Sequence, residues 1–271
     1  MTHSRPAVRE LLTSRGLAPR RDLGQNFVAD PNTVRRIAHL AAVGPGDRVV
    51  EVGAGLGSLT LALAETGATV VAVEVDRGLV AVLREVVADV GTITVVEADA
   101  MTLDWSRLLA DDGSWVLVAN LPYNVATPLV ADLLDGVPQI ARLLVMVQRE
   151  VGERLVAGPG SGTYGAISVK VAYWATARLV GAVPATVFMP RPSVESVLVE
   201  IVRHEPPDVA PGELFELVRT AFGQRRKMLR RSLAGRLDAE RFAAAGVAAT
   251  ARPEDLALED WVRLTKVVAG A

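Results

Sequence analysis

The fold is decided by Glu51-Val52-Gly53-Ala54-Gly55-Leu56-Gly57. This stretch follows an apolar strand candidate at residues 48–50 and leads into a helix candidate at residues 58–65. A strand, a glycine-rich turn and a helix in this order are how an α/β sheet holds a nucleotide-like cofactor at its carboxyl edge. Glycines let the backbone turn tightly and let a ligand approach without meeting a Cβ atom. A turn rich in glycine for packing only is the alternative.

The spacing of the glycines separates two kinds of cofactor. In a dinucleotide fold the pattern is G-x-G-x-x-G, and its third glycine would fall at Ser58. Here the glycines alternate instead, and an acid, Glu51, stands two residues before the first. The pattern E-x-G-x-G-x-G resembles motif I of the S-adenosylmethionine-dependent methyltransferases. Glu74 ends the next strand candidate, about 20 residues past Gly53, which is the usual position of a carboxylate that holds a ribose hydroxyl.

Composition excludes several classes of protein. The chain has 271 residues, half of them hydrophobic, which is enough for one good-sized core and a small second domain. A net charge of −2 means that nucleic-acid binding must use local patches. The absence of cysteine excludes disulfides, zinc ribbons and thiol chemistry, and three scattered histidines make no metal site. The absence of cysteine suits a reducing cytoplasm, and the sequence has no signal-peptide core and no apolar run that could span a bilayer, so we expect a cytoplasmic protein with no membrane partner. We also expect it to be a monomer.

Two further strand ends carry polar residues. The third strand candidate, residues 92–97, is followed by Asp99, which is positioned to accept a hydrogen bond from the exocyclic amine of an adenine; a helix-cap or turn role is the alternative. The fourth strand candidate, residues 115–119, runs straight into Asn120-Leu121-Pro122-Tyr123-Asn124. Because Asn and Pro are poor strand formers, the strand must end there, at the same edge as the cofactor.

This pentapeptide predicts a site with two acceptors and one ring. The amide oxygen of Asn120 and the carbonyl of Leu121, which precedes Pro122, are free to accept hydrogen bonds, and Tyr123 supplies a ring on which a base can stack. Such a site suits an amino group on an aromatic heterocycle, although an ordinary strand-to-helix turn is the alternative. Phe188 is a candidate second ring, and a core phenylalanine is an equal interpretation.

The remaining elements suggest two domains. We expect strands at residues 143–148, 167–175 and 194–202, a linker at residues 204–212, and only helices beyond it, with one at residues 229–237. Between Arg219 and Arg236 seven residues are basic and none is acidic. Because dense like charge on a helix is self-repelling, we favour RNA phosphate as a partner over a merely solvated face. The predicted buried stripe beneath this charge consists of Phe222, Met228, Leu229 and Leu233.

The amino-terminal segment is also basic. Residues 5–21 contain five arginines and one acid, and a short helix there could have an apolar side. A solvated basic tail and an arm that reaches a phosphate backbone are both open interpretations.

Seven motifs together resemble a known family. They occur in the order seen in the ribosomal RNA adenine N6,N6-dimethyltransferases, and the resemblance runs from about residue 20 to the end: GQNF (24–27), EVGAGLG (51–57), EVD (74–76), EADA (97–100), NLPYN (120–124), FMPRPSVES (188–196) and AFGQRRKMLRRSL (221–233). The chain is most similar to the bacterial small-subunit type. The departures are small: Ala54 replaces a frequent proline, Val28 replaces leucine, and Arg191 puts a charge into the F-x-P-x-P run.

The resemblance implies an α/β, Rossmann-like class I S-adenosylmethionine-dependent methyltransferase with a small all-helical carboxyl-terminal domain. Its sheet would be mostly parallel and seven-stranded, with an antiparallel last hairpin. The implied domains are residues 1–204, which include a basic arm at 1–22, and an RNA-binding domain at 205–271. The implied reaction is dimethylation of two adjacent adenines near the 3′ end of 16S ribosomal RNA, within the small subunit or its precursor, with a role in subunit maturation.

The resemblance also implies roles for individual residues. The cofactor S-adenosylmethionine would be bound by Asn26, Val28, Gly53, Gly55, Glu74, Asp99 and Asn120. The target adenine would be held by Asn120, Leu121, Pro122, Tyr123 and Phe188. RNA would be bound by Arg225, Arg226, Lys227, Arg230 and Arg231. The alternatives are a macrolide-resistance dimethylase acting on 23S RNA, a non-catalytic ribosome assembly factor and a nicotinamide-dependent oxidoreductase.

Overall fold

The computed structural model describes residues 2–20, 22–109, 113–122 and 125–270. Its helices are α1 Arg5–Ser14, α2 Pro31–Leu40, α3 Ser58–Ala64, α4 Arg77–Val86, α5 Trp105–Leu108, α6 Ala126–Gly136, α7 Arg149–Leu155, α8 Ala166–Trp174, α9 Pro211–Phe222, α10 Leu229–Ser232, α11 Ala239–Ala244 and α12 Leu258–Ala269. Its strands are β1 Phe27–Val28, β2 Arg48–Val52, β3 Thr69–Glu74, β4 Ile93–Glu97, β5 Trp115–Asn120, β6 Ile140–Gln148, β7 Ala175–Val183, β8 Phe188–Met189 and β9 Ser196–Arg203. None of the helices in these ranges is both long and apolar enough to cross a membrane.

A seven-stranded sheet forms the centre of the first unit. Its order is β4-β3-β2-β5-β6-β9-β7; β2 to β6 run parallel, and β9 pairs antiparallel with β6. This confirms the expected fold class. The chain moves outward from β2 through β3 to β4 and returns to the other side at β5, so the strand order reverses between β2 and β5. Ligands of such sheets bind outside the carboxyl ends of the strands at this reversal.

The core explains why β2 is central. Val49 and Val50 are fully buried, because helices cover both faces of a parallel sheet. On one face, helices α2 and α3 pack on the sheet through Ile37 and Leu63. The sheet is therefore a rigid platform for the loops at its carboxyl edge.

The chain divides into two compact units whose boundaries differ from a single cut at residue 204. One unit contains Met1–Gly152 and Arg178–Val202, and the other contains Glu153–Ala177 and Arg203–Ala271. The second unit therefore takes a segment from the middle of the chain as well as the carboxyl-terminal helices.

The strand expected at residues 167–175 is wrong. Residues 166–174 form helix α8, and the strand, β7, begins only at Ala175. The alternation of apolar and polar residues from Ile167 to Val171 imitates a strand. In the structure Val169 and Tyr173, four residues apart, pack in the core of the second unit with Phe215. Packing partners distant in sequence thus select the helix over the local pattern.

Candidate active site

A cavity of about 230 Å³ opens at the carboxyl ends of β2, β3 and β5. The residues predicted to bind the cofactor all line it: Asn26, Val28, Gly53, Gly55, Glu74, Asp99 and Asn120. Leu121 and Pro122, predicted for the target base, line it as well. In the described ranges no group of three or more His, Cys, Asp or Glu side chains could hold a metal ion.

The glycine loop combines two different requirements. Gly57 has a φ of 83°, which residues with a side chain rarely adopt, and a Cβ atom there would also lie 2.8 Å from Leu83 Cδ1 in α4. Gly53 has a φ of 73°, but a Cβ atom there would meet only the Asn120 carbonyl oxygen, at 3.7 Å. The positive φ thus favours glycine at both positions; packing against α4 adds to this at Gly57, whereas the missing side chain of Gly53 leaves the backbone open toward the cavity.

Glu74 fastens this loop to the end of β3. Its Oε2 accepts a hydrogen bond from the Gly55 N–H at 2.8 Å, and its Oε1 accepts from the N–H groups of Val75 and Asp76, both at 2.9 Å. Burial raises the pKa of Glu74, and these backbone hydrogen bonds oppose the rise. A carboxylate offers about four lone-pair positions, so roughly one remains for a ligand hydroxyl.

Glu51 is a second buried carboxyl on the cavity wall. It is 2% exposed, and its Oε2 has no hydrogen-bond partner among the described residues. Burial raises the pKa of Glu51 from its ordinary 4.5 to about 8, and the charge of Glu74 adds to the rise. The nearby Thr60 hydroxyl opposes this rise in the pKa of Glu51, although Thr60 Oγ1 has no hydrogen-bond partner among the described residues. Because buried polar atoms in proteins are normally bonded, the free oxygen indicates a ligand group that donates hydrogen bonds.

Sequence reasoning used Glu51 only to recognise the motif and assigned it no contact. The signal was nevertheless present, because an acid one residue before the end of β2 lies at the edge where the ligand binds.

The part of the cavity that follows β3 and β4 is lined by two apolar side chains and one acidic side chain. Asp99 is exposed, and its Oδ1 accepts a hydrogen bond from the Met101 N–H at 2.9 Å, as a turn aspartate does. Val75 and Met101 line the cavity while being 47% and 36% exposed. Two exposed apolar side chains beside a carboxylate suit a flat heterocycle with an amino group. Sequence reasoning missed both residues, although each lies within two positions of a predicted acid.

The GQNF loop is held in place by its own polar residues. Gln25 Nε2 donates to Asp76 Oδ2 at 3.0 Å, and Gln25 Oε1 accepts from the Arg20 N–H at 2.8 Å. Asp76 in turn caps α4 by accepting from the Gly78 N–H. Gln25 therefore anchors the loop to the turn after β3 and fixes the position of Asn26.

Asn120 presents an acceptor at the end of β5. Its Nδ2 donates to the Asn26 carbonyl at 3.0 Å, and no described residue donates to its Oδ1. No described residue donates to the Leu121 carbonyl, whereas the Pro122 carbonyl accepts from the N–H groups of Val125 and Ala126 at the start of α6. Asn120 Oδ1 and the Leu121 carbonyl are thus two acceptors of adjacent residues with no donor among the described residues, and their contact with a target amine stays a prediction. Tyr123 lies outside the described residues.

Phe188 lies in the core of the first unit. It is 1% exposed, pairs through β8 with Val28 in β1, and packs with Val34 and Leu198. It is not among the residues that line the cavity. Of the two interpretations that the sequence left open, this structure displays the core phenylalanine, and the stacking role stays a prediction.

The basic side chains between residues 225 and 231 divide into those that have no partner among the described residues and one that has an ion pair. Arg226, Lys227, Arg230 and Arg231 are exposed, and their side chains have no hydrogen bond or ion pair with the described residues. Arg225 instead pairs through Nε with Glu254 at 2.7 Å and donates to the Gly162 carbonyl at 3.0 Å. The first four therefore form a set of uncompensated charges, which we call the free basic cluster.

Two expectations for this segment are wrong. Met228 is 37% exposed, although Leu229 and Leu233 are fully buried as predicted. The helix expected to reach residue 237 ends at Ser232, and Gly235 has a φ of 84°. Met228 precedes the first turn of α10 in extended conformation, so its side chain leaves the helical stripe.

Sequence comparison finds close relatives. Residues 16–270 match the model of a family described as "Ribosomal RNA adenine dimethylase". The chain is 50% identical to the Ribosomal RNA small subunit methyltransferase A of Leifsonia xyli subsp. xyli, over 95% of each chain.

Comparison with solved structures agrees. The 23S rRNA methyltransferase ErmE has a TM-score of 0.70 at 25% identity and covers 90% of this chain and 99% of its own. A dimethyladenosine transferase from Plasmodium falciparum has a TM-score of 0.72 at 22% identity, which shows a shared fold, over 87% of this chain and 94% of its own.

Proposed function

Since this chain belongs to the ribosomal RNA adenine dimethylase family, we propose that it dimethylates the N6 amino groups of two adjacent adenines near the 3′ end of 16S ribosomal RNA. The observation that carries the proposal is the pair of free acceptors, Asn120 Oδ1 and the Leu121 carbonyl, at the edge of the cavity. The relatives at 44% to 50% identity carry a small-subunit name, which favours this substrate over 23S RNA. The substrate would be the small subunit or its precursor, in the cytoplasm.

The cavity fits S-adenosylmethionine, which supplies an electrophilic methyl group on a positively charged sulfur. The remaining lone pair of Glu74 would accept a hydrogen bond from a ribose hydroxyl. Asp99 would accept from the adenine amine, with Val75 and Met101 against the ring faces. Glu51 would hold the ammonium group, because its free oxygen is buried on the cavity wall and a cation favours its ionised form.

The acceptor pair addresses the chemical difficulty of the reaction. An adenine amine is a weak nucleophile because its lone pair is delocalised into the ring. If Asn120 Oδ1 and the Leu121 carbonyl accept both N–H hydrogens out of the ring plane, the nitrogen becomes more pyramidal and its lone pair is directed. Attack then needs mainly correct positioning. The proton becomes acidic once the nitrogen is methylated, so a strong general base is not required.

The second methyl transfer depends more strongly than the first on the exact positions of the same two acceptors. After the first transfer the nitrogen keeps one hydrogen, so one acceptor bond is left to orient a bulkier amine. Small displacements of Asn120 should therefore impair the second transfer more than the first.

The free basic cluster is the proposed contact with the RNA backbone. Exposed lysines and arginines without partners release counterions from phosphates on binding, which gives affinity without base specificity. Four such cations of the second unit lie close together in sequence: Arg226, Lys227, Arg230 and Arg231. Arg225, also predicted to bind RNA, already has an ion pair with Glu254, so we assign the direct phosphate contacts to the other four.

The test compares wild type with Asn120→Ala in two assays, methyl transfer to undermethylated small subunits and binding to the same subunits. The proposal predicts that Asn120→Ala lowers kcat about 100-fold or more while subunit binding stays within twofold, because positioning groups act on the transition state. Equal methyl transfer by both proteins would refute the role of Asn120. Tight binding without transfer by wild type would favour the assembly-factor alternative.

A further inference from the structure

The amino-terminal segment contacts the glycine loop. The His3 N–H donates to Ser58 Oγ at 3.1 Å, and His3 Nε2 lies 2.9 Å from the Leu56 carbonyl oxygen. Burial lowers the pKa of His3, which favours a neutral ring that donates from Nε2. The segment before α1 is therefore attached to the turn that shapes the cofactor cavity.

Helix α1 also forms part of the cavity wall. Val8 is 1% exposed and lines the cavity, and Val8 and Leu12 pack with Leu56 and Leu79. A helix with two of its apolar residues buried in this way is not a solvated tail.

Most described arginines of this segment are already engaged. Arg15 forms an ion pair with Glu85, and Arg20 pairs with Asp22 at 2.6 Å. Arg5 donates from Nη2 to the carbonyls of Thr186, at 2.6 Å, and Phe188, at 3.1 Å. The ion pairs balance the charges of Arg15 and Arg20, whereas the bonds of Arg5 go to neutral carbonyls and hold its side chain in place.

Arg5 connects α1 to the acceptor site through a short series of hydrogen bonds. One carbonyl that it holds belongs to Thr186, two residues before β8, and the other to Phe188, the first residue of β8. Strand β8 pairs with β1 through Phe188 and Val28. The Ala29 N–H donates to the Val187 carbonyl at 2.8 Å in the same ladder. Asn26, directly before β1, holds the amide of Asn120.

We propose that α1 is a wall of the methyl-transfer site and that Arg5 is a positioning residue for the reaction. Arg5 fixes β8 against β1, and β1 fixes the Asn26 carbonyl that orients the Asn120 amide with Oδ1 toward the target. This inference rests on the assignment of Asn120 as acceptor, and it replaces both interpretations of the basic arm. Arg5→Ala should therefore disturb chemistry rather than RNA binding.

The test uses the full-length protein as Arg5→Ala and Arg5→Lys, with Arg9→Ala as control. Arg9 is exposed on the same helix, and its side chain has no partner among the described residues. We expect Arg5→Ala to lower kcat about tenfold or more and to accumulate N6-monomethyladenosine, with KM for the RNA within twofold. Arg5→Lys should recover part of kcat, because a lysine can donate to one carbonyl, and Arg9→Ala should match wild type.

Two results would overturn the inference. One is wild-type kcat and product ratio in Arg5→Ala. The other is an equal rise in KM for Arg5→Ala and Arg9→Ala with a weaker salt dependence of binding, which indicates phosphate contacts.

Hydrogen exchange provides a readout that needs no RNA or activity. Amides of residues 27–29 should exchange faster in folded Arg5→Ala than in Arg9→Ala, because the β1–β8 ladder loses the hydrogen bonds from Arg5 to the Thr186 and Phe188 carbonyls. Unchanged exchange in Arg5→Ala and Arg5→Lys would refute the positioning role even if the proposed RNA substrate were wrong. Conversely, a wild type that fails to methylate small subunits, with faster exchange in Arg5→Ala, would refute only the substrate.

Discussion

Glu51→Gln replaces a fully buried carboxyl by an amide of nearly the same shape, and its effect on stability should depend on pH. In the folded protein burial raises the pKa of Glu51 from 4.5 to about 8. Between these values the folded state binds a proton that the unfolded state has lost. The stability of the wild type therefore falls as pH rises through this window. Glutamine does not titrate, so the variant lacks this contribution.

The magnitude follows from the two pKa values. Each pH unit inside the window removes about 1.4 kcal/mol from the free energy of unfolding, so the wild type should lose about 2.5 kcal/mol more than Glu51→Gln between pH 5.5 and 7.5. Glu74, whose pKa is also raised, is present in both proteins, and its charge is one cause of the raised pKa of Glu51, so the difference between the proteins measures Glu51 together with its coupling to Glu74.

Urea unfolding of both proteins at the two pH values measures this difference. Glu213→Gln is the matched control, because it makes the same substitution at an exposed residue in the first turn of α9, whose side chain has no partner among the described residues. Parallel pH profiles for wild type and Glu51→Gln would refute the reasoning, since they would mean that Glu51 titrates alike in the folded and unfolded chains.

Three further predictions concern ligands. S-adenosylmethionine should bind wild type more tightly as pH rises from 6 to 7.5, by up to about tenfold per unit, because the ammonium needs ionised Glu51; calorimetry should show a flat profile for Glu51→Gln. Glu74→Gln should weaken the same binding about tenfold or more, because the amide nitrogen that replaces one carboxylate oxygen only donates and so accepts neither a backbone N–H nor a ribose hydroxyl; unchanged affinity would contradict this. Arg230→Ala and Arg231→Ala should each reduce the salt slope of RNA binding by about one, whereas Arg225→Ala should mainly lower stability; equal slopes for all three would contradict the free basic cluster.

The strand ends were predictable because parallel strands share an edge. Glu74, Asp99 and Asn120 each follow or end a short apolar run, and the rules of α/β topology bring such positions together without knowledge of the side-chain contacts. The kind of cofactor was also predictable, because the spacing of the glycines determines the local backbone geometry of the loop that holds it.

Features that depend on distant partners were not predictable. Residues 167–171 alternate as a strand does, and only their packing beside Phe215 makes them helical. The burial of Phe188 follows from its pairing with Val28, which is 160 residues earlier in the chain. The hydrogen bonds of Arg5 to the Thr186 and Phe188 carbonyls have no counterpart in any local pattern.

The burial of Glu51 lies between these two cases. Its place at the edge of β2 is visible in the sequence, but its free oxygen and raised pKa emerge only when the cavity is assembled around it.

The most direct test of the central claim is transfer of labelled methyl groups from S-adenosylmethionine to undermethylated small subunits, with large subunits and free RNA measured in parallel, followed by identification of the labelled nucleoside and its position. The account predicts N6,N6-dimethyladenosine at two adjacent positions near the 3′ end of 16S RNA. Label in 23S RNA, or on an atom other than adenine N6, would contradict it.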